Sequence, residues 1–305
     1  MKRIFIYILT LIAFTAFSQD YKIESEFETG KPYQFEVKRS KFDSRDPMTK
    51  DLAQLTQIEA TFTQQDTMLK CVWKYGETKA VGPEHIISQI GSANNELFNI
   101  YRGIEIEILF NPHLGGIELL NYEEMKQNIK NGLLKVYKNQ MTKIDSATMA
   151  FINQQIEPTY STPDLLLSTY FPEIGLYFNL YSQSFSEGDK IKSLGSYPNP
   201  FGGDPFPVVS EIGIESKEEN VLLIKNEESA NQEEVNRIIK EFVARMSSLG
   251  NSPVKKEDIP DFTLNSVSKC HYDLNLKLIN KVMYERVIEI SEIKQIETLE
   301  VILIK

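Results

Sequence analysis

The run RGIEIEILFNPHLGGIELLNYEEMKQNI, residues 102–129, holds the pattern from which the fold is read. Ile104, Ile106 and Ile108 alternate with Glu105 and Glu107, the period of two expected of a strand with one wet face. Asn111 to Gly116 supply turn residues, and Ile117 to Leu120 return as a second strand. Asn121 then stands in a cap position, with Glu124 three residues on, and Met125, Ile129, Leu133, Val136 and Tyr137 follow at helical spacing. Hairpin followed by amphipathic helix predicts an antiparallel sheet packed against helices.

Working towards the N-terminus, Leu69, Cys71, Trp73 and Tyr75 alternate out of a polar turn at TQQDT, and Ile58, Ala60 and Phe62 alternate into it. Before them, Tyr21, Ile23, Ser25 and Phe27 share one face, and Tyr33, Phe35 and Val37 resume the pattern after ETGKP, which predicts a first hairpin. Towards the C-terminus, a helix is expected from about Ser146 to Ile156, and another begins at Thr162-Pro163. The clearest helix is capped by Asn231, with Val235, Ile238, Ile239, Phe242, Val243 and Met246 as its apolar stripe, and it ends near Gly250. Cys270, Tyr272, Leu274, Leu276 and Leu278 then alternate as one strand, and LEVILIK closes the chain. The first and last strands are expected to be neighbours in one sheet. The fold class is therefore α+β: a curved, half-barrel-like antiparallel β-sheet packed against several α-helices. Residues 19–305 are read as one domain, with any sub-boundary near 141–162.

The first eighteen residues read as a secretory signal peptide. Lys2 and Arg3 precede an apolar stretch from Ile4 to Ala13, and Ala16-Phe17-Ser18 offers a cut before Gln19. The apolar stretch is short for a membrane span, no later segment is long and apolar enough for one, and no cysteine precedes Cys71 to carry a lipid. The expected product is an exported periplasmic or extracellular protein, not a lipoprotein. Formal charge is −10, and losing Lys2 and Arg3 takes it to −12. So acidic a chain, with no basic stripe, is not expected to bind nucleic acid. Export makes a Cys71–Cys270 disulfide admissible; two separately buried thiols are the alternative.

No reactive constellation is visible. The three histidines, His85, His113 and His271, are scattered, and Cys270 and His271 point to opposite faces of a strand, so no metal site is expected. GxSxG and SxxK are absent. Cys71 sits in a packing context, and the acidic pairs Glu123-Glu124 and Glu233-Glu234 fall in first turns of helices, where negative charge is favoured. Neither catalytic residues nor a cofactor are expected, so the chain is not read as an enzyme.

The run SYPNPFGGDPFPVVS, residues 196–210, is too proline-rich for the interior of a strand and is expected at a sheet edge or in a long surface loop. It is read first as punctuation between two pieces of the fold. If it is instead a gripping loop, Tyr197, Phe201 and Phe206, together with Trp73, line an apolar pocket.

The segments RGIEIEILFNPHLGGIELLNYEEM and NPFGGDPFPVV resemble those of uncharacterised secreted proteins of Gram-negative bacteria and, more distantly, the half-barrel lipoprotein-carrier fold. That resemblance implies a curved sheet around helices and carries no functional residue. Two functions are expected: a non-catalytic binding protein for a lipid-like or otherwise hydrophobic small molecule, or a cell-envelope module that meets a protein partner.

Overall fold

The computed structural model describes residues 19–46, 50–84, 87, 101–140, 157–197, 206–249 and 254–304. The expected signal peptide, the helix expected at 146–156, His85 and Phe201 lie outside them, as do the side chains of Leu133, Val136, Tyr137 and Met246.

In chain order the strands are β1 (Asp20–Lys22), β2 (Pro32–Asp43), β3 (Ala53–Gln65), β4 (Met68–Val81), β5 (Glu105–Phe110), β6 (Ile117–Leu119), β7 (Ser184–Ser186), β8 (Lys190–Tyr197), β9 (Phe206–Glu218), β10 (Val221–Ala230), β11 (Phe262–Asp273), β12 (Leu278–Ile290) and β13 (Ile293–Ile304). The helices are α1 (Tyr122–Gln140), α2 (Pro163–Tyr170), α3 (Pro172–Phe178) and α4 (Gln232–Leu249). Eleven strands form one open antiparallel sheet in the order β6-β5-β4-β3-β2-β13-β12-β11-β10-β9-β8. Each half is a meander, and the halves join where β2 pairs with β13, from Gln34↔Ile304 to Asp43↔Gln295. The expected α+β class, a curved antiparallel sheet packed against helices, is what the chain adopts.

The sheet is wet on one face and dry on the other. On the wet face Lys192 meets Glu211 at 2.5 Å, Lys225 meets Glu227 at 2.7 Å and Lys269 meets Glu215 at 2.8 Å. Exposed pairs like these add little stability but keep the face soluble. The dry face gathers Phe35, Ile58, Phe62, Trp73, Ile106, Phe110, Val282 and Val301 into one core that α3 plugs with Ile174, Tyr177 and Phe178. Burying each such side chain contributes about 1.5–3 kcal/mol. Phe178 lies 5.2 Å from Phe110 and 6.0 Å from Trp73, and Phe27 stacks on Phe62 at 3.8 Å.

A β-bulge ties the plug to the sheet. Between β11 and β12 the register passes from His271↔Lys281 to Tyr272↔Ile279, so Asn280 is the extra residue. A bulge leaves ladder groups unpaired. Here the Tyr177 hydroxyl donates to the Ile279 carbonyl (3.0 Å), and the Ile279 N–H donates to the Tyr181 hydroxyl (2.9 Å).

Three expectations change. The first hairpin does not form: only Asp20–Lys22 is strand, and it pairs with β7. Tyr21, Ile23 and Phe27 are buried as expected, but the segment lies over the dry face, where Ile23 N–H donates to Gln183 O. A strand lying on a sheet and a strand within it show the same alternation. The strand expected through Leu278 turns after Asp273, whose Oδ1 accepts the N–H groups of Asn275 and Leu276. Asn121 does not cap α1 with its side chain. It extends the sheet instead, accepting from Glu107 N–H at 3.0 Å and donating to Glu105 O at 2.9 Å. Thr162 and Asn231 do cap their helices, accepting from Leu165 N–H and Glu234 N–H.

Of the two alternatives for Cys71 and Cys270, the structure has the separately buried thiols. Both are free thiols, buried on the dry faces of β4 and β11, with four strands between those two in the sheet order. Both bear electrostatically on the Tyr177 hydroxyl, so that plug residue lies near each, and burial pushes both thiols well above their ordinary range.

Two measurements follow. Tyr177→Phe keeps the ring and strips the bulge carbonyl of its donor. It should lower stability by about 1–3 kcal/mol in denaturant titration; a change under about 0.5 kcal/mol would mean the bulge is satisfied otherwise. Thiol alkylation should label neither cysteine in the native protein and both after denaturation; native labelling of either would contradict the burial.

Candidate polar groove

Strand β10 shows how the site arises. Its inward side chains are Leu222, Ile224, Asn226, Glu228 and Ala230: apolar, apolar, polar, polar, small. Neighbouring strands repeat the break at the same height. Register places Ser210 opposite Glu228, Glu228 opposite Ser266, Ser266 opposite Arg286, Arg286 opposite Glu297 and Glu297 opposite Lys41. The adjacent row runs Asn226, Ser268, Tyr284, Arg39 and Gln54, interrupted on β13 by the buried Leu299. Six strands at about 4.8 Å spacing make a polar band about 24 Å long across the sheet.

Apolar rows flank the band. On one side lie Ile224, Cys270, Val282, Val301 and Val37, beneath α3. On the other, Phe206, Val208, Ala230 and Leu264 join Val235 and Ile239 of α4 in a second, smaller core. Both helices sit on the same face, and the band forms the floor between them. It is half open: the side chains of Arg286 and Glu297 remain 36% and 26% exposed.

The band's groups are tied to one another. Ser266 Oγ donates to Glu228 Oε2 at 2.8 Å, and the Tyr197 hydroxyl bonds to both Glu228 and Ser266. Ser210 donates to Asn226 Oδ1 at 2.6 Å, and Asn226 donates to Glu228 Oε1 at 3.2 Å. Arg286 donates through Nε to Glu297 Oε2 at 3.0 Å, while Lys41 holds the other oxygen at 2.9 Å. Burial, then Tyr284 and Glu228, push the Tyr197 phenol up. Burial alone would raise Glu297, but Arg286 and Lys41 outweigh it and hold the carboxyl below its ordinary range.

At its β2 end the band reaches the base of α3. Glu173, fully buried, accepts from Arg39 through one oxygen and from the Tyr75 hydroxyl through the other. With Val37, Gln54, Thr56, Thr78 and Tyr101 these residues line a cavity of about 20 Å³. That is room for a water molecule, whereas pockets for small ligands run to about 300–1,000 Å³.

The residues expected to line an apolar pocket are dispersed. Trp73 is fully buried against Phe35, Tyr177 and Phe178, with no hydrogen-bond partner for Nε1 among the described residues. Phe206 is 3% exposed and belongs to the small core under α4. Of the described residues among them, Tyr197 alone reaches the band. It pairs directly with Phe206 across β8 and β9, and residues 198–205 of the proline-rich run lie outside the described residues. Arg39, Lys41, Asn226, Glu228, Ser266, Ser268, Tyr284, Arg286 and Glu297 were not singled out from sequence. The available signal was a strand whose inward positions turn from apolar to polar midway, as Ile224, Asn226, Glu228 does.

No family model matches the chain, and no curated protein matches it. Among solved structures it is similar to lipovitellin, in a structure described as "lipid-protein interactions in lipovitellin", with a TM-score of 0.43 and 10% identity. The match covers 92% of this chain and 26% of that one, so the chain spans about a quarter of that protein's length.

Glu297 gives the band a measurable pH signature. Its depressed pKa contributes stability that is present above the unfolded value, near 4.3, and is lost as pH falls through the folded value. Glu297→Gln should therefore destabilise the protein at pH 7, and its deficit against wild type should narrow by pH 3. An equal deficit at both pH values would show that the pair contributes nothing through charge.

Proposed function

We propose that this chain is an exported, non-catalytic binding protein whose ligand lies along the polar band between α3 and α4. The observation that carries the reading is the band itself. A sheet face that is otherwise dry keeps two largely polar rows, open to solvent at Arg286 and Glu297, between two apolar clusters. Burying polar groups costs stability unless each finds a partner, so a row of them within a core calls for a reason. The carboxylates and cations of the band balance: Glu228, Glu297 and Glu173 against Arg286, Lys41 and Arg39. Such a floor suits an amphipathic molecule with a neutral or zwitterionic polar part. Its apolar portion would meet the flanking rows, and Ser268, Tyr284 and Asn226 would hydrogen-bond the rest. The lipid-like ligand expected from sequence is retained in this amphipathic form, outside the α3 core, which the chain's own aromatics fill. The band's acidic and hydroxyl groups already bond to one another, which supports binding over catalysis.

Native mass spectrometry of protein purified from its own host should show a small-molecule adduct. Asn226→Leu with Ser268→Leu, which continues the apolar row across the floor, should remove that adduct while the far-ultraviolet circular dichroism stays unchanged. Protein that carries no adduct, or an adduct that survives the double substitution, refutes the groove as the seat.

A further inference from the structure

The two edges of the large sheet differ. At one end β6 is only Ile117–Leu119. At the other, β8 runs for eight residues, Lys190–Tyr197, and every one but Tyr197 is exposed. Among the described residues β9 alone pairs with it, and its other edge of backbone N–H and C=O groups meets no strand among them. Edge strands of this length are templates for strand addition, and proteins ordinarily blunt them. Here the edge also gathers exposed apolar side chains. Leu194 is 88% exposed, Ile191 46%, and Val209, directly opposite Leu194 on β9, 42%.

We propose that β8 is a self-pairing edge: two copies of this chain join by antiparallel addition of β8 to β8 about a twofold axis at Leu194. The proposal goes beyond the ligand-binding reading and does not depend on it. An antiparallel twofold centred on Leu194 sets Leu194 against Leu194 of the second copy, with Val209 of each copy flanking on the same face. It also sets Ile191 against Tyr197, Ser193 against Gly195, and Lys192 against Ser196 of the second copy. No lysine then opposes a lysine, which would be destabilising. Lys190 and Lys192 lie on the opposite face from Ile191 and Tyr197, and both are held by Glu211, with Glu227 also within reach of Lys190. Both lysines of the edge are therefore already engaged by carboxylates of their own face. What the edge offers is backbone groups and apolar side chains, and an identical strand satisfies both. The symmetry is the closed, isologous kind that most homo-oligomers adopt.

A single strand-to-strand contact falls below the roughly 1,200–2,000 Å² of stable interfaces. The dimer should accordingly be weak, with a Kd of about 10–100 µM. Sedimentation velocity on the full chain from about 1 to 500 µM should show a reversible shift from monomer to dimer. Leu194→Lys, at a side chain already in water, should leave the fold intact and raise Kd at least about tenfold by setting like charges across the axis. Leu194→Cys should form an intermolecular disulfide under mild oxidation, and Lys192→Cys should not, since only residue 194 faces itself. Cys71 and Cys270 are buried and do not compete. A monomer at every concentration overturns the proposal. So does a dimer indifferent to Leu194→Lys, or cross-linking through residue 192 as readily as through residue 194.

Discussion

The ladder between β2 and β13 is the seam on which the rest of the molecule depends. Ten paired positions, from Gln34↔Ile304 to Asp43↔Gln295, join a strand near the start of the described chain to one at its end. Without that seam there are two separate meanders of five and six strands. With it, Val37 continues the apolar row of Val282 and Val301, and Lys41 comes opposite Glu297. Closing so long a loop is entropically unfavourable, and the pairing gains nothing until it is nearly complete.

Once the seam is made, one sheet face serves three purposes along its length. At one end α3 and the segment before β2 bury it under stacked aromatics. At the other α4 buries it under a smaller aliphatic cluster. Between them the polar band stays half open, its carboxylates each matched to a cation or to hydroxyls. The matching is what makes the band tolerable so close to two cores, because an unpaired charge there would cost several kcal/mol. The Arg39–Glu173–Tyr75 cluster anchors the base of α3 in the same way.

Much of the fold was legible because it rests on short-range pattern. The β3–β4 and β5–β6 hairpins and the Thr162 and Asn231 caps all follow from alternation, turn residues and backbone restrictions within a few residues. The failures share a cause. Tyr21 to Phe27 alternate like a sheet strand but lie over the sheet, and Leu274 and Leu276 continue an alternation across a turn set by Asp273. Asn121 has a cap's position and a strand's hydrogen bonds. In each case the side chain's local preference is compatible with two partners, and a distant backbone group chooses.

The sequence by itself determined which residues are apolar inward and which are wet, and therefore that an antiparallel sheet would bury one face against helices. It also showed that the aromatics mostly serve packing, as Trp73 and Phe206 do. Only the tertiary structure decided that β2, and not the first strand β1, meets the last strand β13, that Cys71 and Cys270 remain free thiols, and that polar residues from six strands align into one band. The physical reason is that each strand contributes one or two members of that band. Their alignment is a matter of register between segments up to about 250 residues apart, and register is set by pairing energy summed over whole ladders, which no local pattern records.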